Sequence, residues 1–405
     1  MRIRPFPALR PTPTIAAELA SQPYDVGELS EARREAQANP CTFLHVERPE
    51  VDLPDTFRPG DDHRSAAEHL ARFQREGWLV REEQPRLYLY RQQQGAHVQT
   101  GLVACCHVED YWADVIKKHE KTKKPVEDQR AEHVLACRAN TGPIFLLHRD
   151  PPGLAERRAA IAATAPLTEF TANDGVRHTV WTIDDPAPFV EAFGHIPCAY
   201  VADGHHRAAA AARAGRALRE MNPAHHGGEE YNWFLACLFP ADELRILAYH
   251  RMMRDLNGLS PAAFLDQVRS LFTVTVGAPL EPAHPREATL FLDGHRYGLR
   301  WDAPAGADPV SALDVSVLQN RLLGPVLGVD DPRTNPRIGY LGGFGAAAEL
   351  ERRVATGEAV AAFALYPTTV DQLMAISDAG QIMPPKSTWF EPKLRSGLFV
   401  HALDG

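Results

Sequence analysis

Cysteine is scarce in this chain of 405 residues: there are six, Cys105 and Cys106 are adjacent, and no CxxC pair occurs. That excludes a zinc ribbon or a CxxC redox centre, and all six are expected to be reduced packing residues. No run approaches the eighteen or so apolar residues that would span a bilayer, so a soluble chain with no membrane partner is expected. A basic excess is missing too. The formal net charge is −9, and the Lys-rich patch at Lys117, Lys118 and Lys121 to Lys124 is diluted by Glu120, Glu127 and Asp128. A broad grip on nucleic acid needs a basic domain or stripe, so no nucleic-acid partner is expected and the ligand should be small. The start, Met1 to Arg10, interleaves Arg and Pro where a signal peptide needs an unbroken apolar stretch, which points to the cytoplasm. Internal repeats and low-complexity tracts are absent as well.

What is present is ordinary globular composition, 44% hydrophobic and 23% charged, over a length that favours several packed units. The spacing predicts helices over residues 27–38 and Ser65 to Gly77. It predicts strands at Thr42 to Val46 and an antiparallel pair at Arg86 to Tyr90 and Val98 to Val108. A buried strand at Pro143 to His148 opens an alternating run: helix Pro152 to Ala165, strand His178 to Ile183, helix Pro186 to Phe193, strand Cys198 to Ala202, helix Arg207 to Ala214. Gly215 supplies the expected stop. Phe234 to Phe239 and Arg245 to Arg251 read as a hairpin around Pro240 to Glu243. Strands near 289–301, a helix over 311–323, a glycine-rich loop, a helix to Arg353 and a strand at Ala359 to Tyr366 complete a mixed α/β fold. Three segments are expected: 1–150, 151–256 and 257–405.

The segment Tyr200-Val-Ala-Asp-Gly-His-His-Arg207 carries the chemistry. A strand runs into polar residues and an alanine-rich helix follows at once, so the turn must be tight, and Gly204 admits backbone geometry closed to other residues. The new helix offers free N–H groups and the positive end of its dipole, which attract an anion. His205, His206 and Arg207 add donors suited to phosphate oxygens. An Asp cap with surface histidines is the plainer reading of the same residues, and His225-His226 shows that a His pair alone discriminates little. The strand-to-helix junction, where α/β sheets commonly place ligands, favours phosphate.

This stretch resembles the D-G-H-H-R motif of free serine kinases in the ParB and sulfiredoxin superfamily, where the loop holds nucleotide phosphates. More broadly the chain resembles domain-of-unknown-function family 1015. The matching segments are Pro5-Phe-Pro-Ala-Leu-Arg10, Pro23-Tyr-Asp-Val26, Phe43-Leu-His-Val46, His119-Glu-Lys-Thr122, Ala202-Asp-Gly-His-His-Arg207 and Met383-Pro-Pro-Lys-Ser-Thr388. The resemblance implies a ParB/sulfiredoxin-like nucleotide-binding core with added N- and C-terminal α/β segments. It also implies a kinase that moves phosphate from ATP or ADP, with Mg2+, to the hydroxyl of a polar metabolite such as free serine.

From the residues alone, His119 to Thr122 reads as an exposed charged helix end; the resemblance turns it into part of the site. A carboxylate there can hold magnesium or orient the attacking hydroxyl. The expected roles are Gly204, His205, His206 and Arg207 on phosphate, Asp203, Glu120 and His119 in catalysis, and Asp203 and Glu120 on Mg2+. Rigid prolines presenting Lys386, Ser387 and Thr388 could deliver the positive charge of the lysine to a phosphate or a substrate carboxylate; an unremarkable loop is the plainer reading. Which carboxylate is base and which holds metal stays open, as does oligomeric state.

Several near-motifs fail. Gly380 to Ser387 almost spells a P-loop, but Pro385 replaces the second glycine and has no N–H to donate. His148-Arg-Asp150 mimics a protein-kinase triplet, yet prolines follow and no DFG exists. Gly339 to Gly345 lacks GxGxxG spacing and reads as packing or a turn. Zinc would need His45, His119, Glu120, His205 and His206 to converge, with no HExxH or Cys/His cluster to support it. A sulfiredoxin-type reductase needs a thiol in the loop, where His stands instead; Cys198 lies back along the strand. The remaining rival is a non-catalytic ParB-like nucleotide switch.

Overall fold

The strand Ile144-Phe-Leu-Leu-His148 is buried at every residue, which requires a position inside a sheet covered on both faces. The structure, a computed structural model, describes residues 1–303 and 306–404 and places this strand near the middle of a nine-stranded sheet. Its members are β1 (Ile3–Arg4), β2 (Leu87–Gln94), β3 (His97–His107), β4 (Ile116–Lys117), β5 (Ile144–His148), β6 (Thr168–Thr171), β7 (Arg177–Ile183), β8 (Ala199–Asp203) and β9 (Trp233–Pro240). The order is β4-β8-β5-β9-β3-β2-β7-β6, with β1 added on β3. The pairs β4/β8 and β5/β9 are parallel and the others antiparallel. The mixed α/β class expected from the sequence is what the chain adopts.

Four helices matter for the site: α1 (Leu44–Glu47), α2 (Asp61–Arg75), α3 (Lys124–Cys137) and α4 (His205–Met221). Alanine makes α4 both a strong helix and a thin one. Ala208, Ala209, Ala211 and Ala212 join Val201, Ile144, Phe234 and Leu238 in the main core, so the helix axis can lie close to the sheet. Arg213 ties α4 to α3, with Nη1 donating to Glu127 at 3.2 Å and Nη2 to Asp128 at 2.6 Å.

The chain forms two compact units, Met1–Leu244 with Pro392–Gly405, and Arg245–Glu391. Strands from both sides of residue 150 pair in the one sheet of the first unit, so the division expected there falls inside a single body. The expected hairpin is not formed. Phe234 to Phe239 lies in β9 of the first unit, whereas Tyr249–Met253 is β10 of the second. There it joins β11 (Thr273–Val276), β12 (Glu287–Leu292), β13 (His295–Arg300), β14 (Ile338–Gly342) and β15 (Ala361–Leu365) in the antiparallel order β11-β13-β12-β15-β10-β14. A turn signal marks where the chain bends but not which sheet receives it.

The expected strand at Thr42 to Val46 is instead one helical turn, α1. Its apolar residues face two clusters: Phe43 and Val46 join Leu19, Phe73 and Val400, while Leu44 joins Ala32, Ala36 and Val51. Residues three apart share a face in a helix but not in a strand, so this split needs helical spacing. The last segment returns to the first unit, where His401–Ala402 pairs with Ala139–Asn140 and Leu9 and Val400 exchange backbone hydrogen bonds.

Gly215 does not end α4, which continues to Met221. A Cβ at 215 would sit 2.4 Å from the carbonyl oxygen of Tyr231, so the glycine permits close approach of two backbones. Gly215→Ala should therefore destabilise the protein by roughly 1–3 kcal/mol, read as a lower urea midpoint. An unchanged midpoint would show that residues 230–232 move aside without cost.

Candidate active site

Two loops leave the same end of the sheet because the strands that feed them are parallel neighbours, with Ala199 opposite Ile116 and Tyr200 opposite Lys117. After β4 the loop 118–123 carries His119-Glu-Lys-Thr122 into α3. After β8 the chain turns at Gly204 into α4. Two helix N-termini therefore open beside each other, joined where His206 Nε2 accepts the backbone N–H of Lys123 at 3.0 Å. Accepting at Nε2 leaves the neutral ring of His206 with its proton on Nδ1. Thr122 donates to Glu127, closing the first turn of α3.

Gly204 has φ +88°, a left-handed conformation that turns the strand into the helix without a linker. A side chain there would also meet Arg207, whose Nε and Cζ lie 3.0 and 3.1 Å from the position of a Cβ. Arg207 is buried. Its Nη1 donates to the carbonyl of Pro143 at 2.6 Å and its Nη2 to Asp203 Oδ2 at 3.4 Å. Burial works against its charge, but Asp25, Asp203 and Glu47 outweigh that and hold its pKa above the ordinary value. The guanidinium is thus held mainly by the protein, beneath the loop.

Asp203 Oδ2 also lies 3.5 Å from Lys393 Nζ. Burial alone would raise this carboxyl, yet Lys393 and Arg207 keep it below the usual carboxylate range. It is ionised at neutral pH. His119 and His205 pack edge to face with ring centroids 4.4 Å apart, and Glu120 Oε2 is 4.0 Å from His205 Nδ1. Burial lowers the pKa of His119 to about 4, partly opposed by Asp203 and a hydrogen bond to the Val201 backbone. Burial, with His119 next to it, pushes His205 well below its ordinary value. Both imidazoles are neutral at pH 7. His205 Nε2 is buried and makes no hydrogen bond among the described residues.

The family described as "Protein of unknown function (DUF1015)" matches residues 3–316. The chain belongs to this family. Comparison with curated proteins finds no match. Among solved structures, this DUF1015 chain is similar to a free serine kinase in complex with AMP, at 13% identity and TM-score 0.34, covering 71% of this chain and 86% of that one. It is also similar to SbnI with C-terminal truncation from Staphylococcus aureus, at 11% identity, TM-score 0.37, and 73% and 85% coverage. A third is a conserved hypothetical protein from Pyrococcus furiosus, at 12% identity, TM-score 0.34, and 73% and 93% coverage.

In the DUF1015 chain the fold brings His119, Glu120, Asp203, Gly204, His205, His206 and Arg207 together in the first unit. Lys386, Ser387 and Thr388 belong to the second. There Lys386 adopts φ +57°, its Nζ lies 5.4 Å from the Tyr249 ring centre, and Ser387 Oγ donates to Pro384 O at 2.7 Å. Three contributors escaped the sequence reading. Lys393 is delivered by the returning C-terminal segment, where Gln92 Nε2 donates to its carbonyl at 2.7 Å. Glu47 is fully buried, held by Arg130 Nη2 at 3.1 Å and Thr141 Oγ1 at 2.7 Å. Arg130 in turn lies 4.2 Å from the centre of the Tyr24 ring. The only signal for Glu47 was its place inside the apolar stretch Phe43 to Val51; Lys393 stands in no motif.

The neutral histidines make stability depend on pH. The unfolded chain takes up histidine protons near pH 6.5, but folded His119 does not until about pH 4. Protonation therefore favours the unfolded state, and stability should fall as pH drops from about 6.5 toward 4. Each such histidine contributes up to about 1.4 kcal/mol per pH unit in that window. Urea unfolding of the wild type and His119→Asn across this range should show a shallower slope for the variant; equal slopes would mean His119 titrates normally when folded.

Proposed function

We propose that this protein is a small-molecule kinase that transfers phosphate from a nucleotide, ATP in the first instance, to the hydroxyl of a polar metabolite such as free serine. The observation that carries this reading is the Nε2 of His205, buried and without a partner among the described residues, on the first residue of α4, beside a left-handed glycine and a second helix N-terminus. A buried polar atom without a partner costs free energy, and an anionic ligand at the helix start is the partner this position suits. The matching D-G-H-H-R and H-E-K-T segments support the same reading by resemblance.

In this reading Gly204, His205 and His206 meet the phosphates, and Arg207 holds the loop from below. Neutral imidazoles donate one N–H each and can take up a proton as an anion arrives. Asp203 and Glu120 are oxygen donors of the kind Mg2+ takes, an ionised carboxylate and a half-exposed one. Bound by them, Mg2+ would offset the charge on the phosphates. Asp203 or Glu120 orients the acceptor hydroxyl, and Lys386 is the remaining candidate for neutralising charge. Such catalysis is mostly positioning and electrostatics.

A non-catalytic nucleotide switch is the second reading, favoured by the engagement of Asp203 with both Lys393 and Arg207. Incubation with ATP or ADP, Mg2+ and a panel of hydroxylated metabolites, followed by phosphorus NMR, separates the two. The kinase reading expects a new phosphomonoester and a loss of at least ~100-fold in turnover for Asp203→Asn, with nucleotide affinity nearly kept. Nucleotide binding with no acceptor ever phosphorylated would favour the switch. Arg207→Ala should behave differently from Asp203→Asn, losing roughly 3–5 kcal/mol of stability because it strands buried carboxylates. A variant that melts normally yet binds nucleotide weakly would return Arg207 to direct phosphate contact.

A further inference from the structure

Away from the two loops, His45, Asp52 and His69 converge on one point from three elements. His45 lies in α1, Asp52 follows the 3-10 turn Pro49–Val51, and His69 lies in α2. His45 Nδ1 is 2.7 Å and His69 Nε2 3.1 Å from the same Asp52 oxygen, Oδ2. The two rings stack with centroids 5.0 Å apart, 29° from parallel, and the three ligand atoms all lie within 4.8 Å of one another.

The hydrogen bonding of His45 does not close with a neutral ring. Its other nitrogen, Nε2, is 3.2 Å from the carbonyl oxygen of Asn39, which can only accept, and Asp52 can only accept as a carboxylate. A neutral imidazole has one N–H to give. His69 Nε2 is directed at the same Asp52 oxygen, so two stacked rings and one oxygen meet at one point that something else is needed to bridge. A cation resolves this. With the proton kept on Nε2 and donated to Asn39, Nδ1 presents its lone pair, which is how metal-bound histidines are usually held.

We propose that His45, Asp52 and His69 form a site for a divalent transition ion of the Zn2+ type. Two imidazoles and a carboxylate are the ligands such an ion takes at about 2.0–2.2 Å; ligands at that radius in tetrahedral array stand about 3.3–3.5 Å apart, so His69 and Asp52, now 3.1 Å apart, need open only slightly, and His45 and Asp52, now 2.7 Å apart, by somewhat under an ångström. Asp52 and His69 are partly exposed, with side-chain exposures of 29% and 19%, leaving a fourth position for water. The ion would clip α1 and the turn after it to α2. Binding uses the lone pairs of His45 Nδ1 and His69 Nε2; a proton there moves to the other nitrogen of a neutral ring or, from an imidazolium, to solvent, so no redox partner is needed.

The test uses the full chain stripped with a chelator, titrated with Co2+ followed by its visible bands and with Zn2+ followed by calorimetry in buffers of different ionisation enthalpy. The expected result is one equivalent bound at micromolar concentration, with a raised melting temperature. His69→Ala, a substitution that favours helix, should fold and lose that equivalent together with the thermal shift; Asp52→Asn should weaken it. Two other groups could capture the metal, His225 and His226 about Glu229, and His119 and His205 beside Glu120. Binding that survives His69→Ala, or is absent from the wild type at micromolar metal, overturns the proposal.

Discussion

A guanidinium buried under a loop needs acceptors and counter-charges around it, and several segments of the first unit meet at Arg207 to supply them, with only its Nε left without a partner among the described residues. Its partners come from separate parts of the chain: the Pro143 carbonyl before β5, Asp203 at the end of β8, and the charges of Asp25 and Glu47 from the N-terminal segment. Glu47 is itself fixed by Arg130 of α3 and by Thr141. Leaving a buried charge unmatched costs several kcal/mol, so these segments are held in place together. Gly204 follows from the same condition, because the guanidinium occupies the space where a side chain would lie.

Above this foundation the site holds opposite charge states a few ångströms apart. Asp203 stays ionised because two cations face it, whereas His119 and His205 are neutral because burial penalises their charge. Two parallel strands then set two helix starts side by side, with His206 as the stitch between them. The result is a surface that donates hydrogen bonds without a fixed excess of positive charge.

The loop 203–207 was legible because its signals are local: an apolar strand, a glycine, polar residues and an alanine helix in unbroken succession. Its neighbour, His119 to Thr122, was singled out only through resemblance, since its place beside the loop depends on β4 pairing with β8. The partners from farther along the chain left no trace in any window. Lys393 meets Asp203 across nearly half the sequence, and Glu47 meets Arg130 across another long gap. The misread elements have the same origin. Thr42 to Val46 has strand composition, but two clusters demand its residues at helical spacing. Gly215 carries the usual mark of a helix end and is there for the Tyr231 carbonyl. His45, Asp52 and His69 follow no known spacing and meet only through the packing of α1 on α2.

The second unit is inserted between Leu244 and Pro392, and the segment after it returns to the first unit with Lys393 and the strand His401–Ala402. During synthesis the ribosome has to deliver the whole inserted unit before Asp203 can meet its lysine. Until then a carboxylate and an unpaired sheet edge at Ala139–Asn140 wait in a nascent chain. Contacts closed over so long an interval form late and slowly. A chain stalled inside the insertion would hold Asp203 by Arg207 alone, without its second cation.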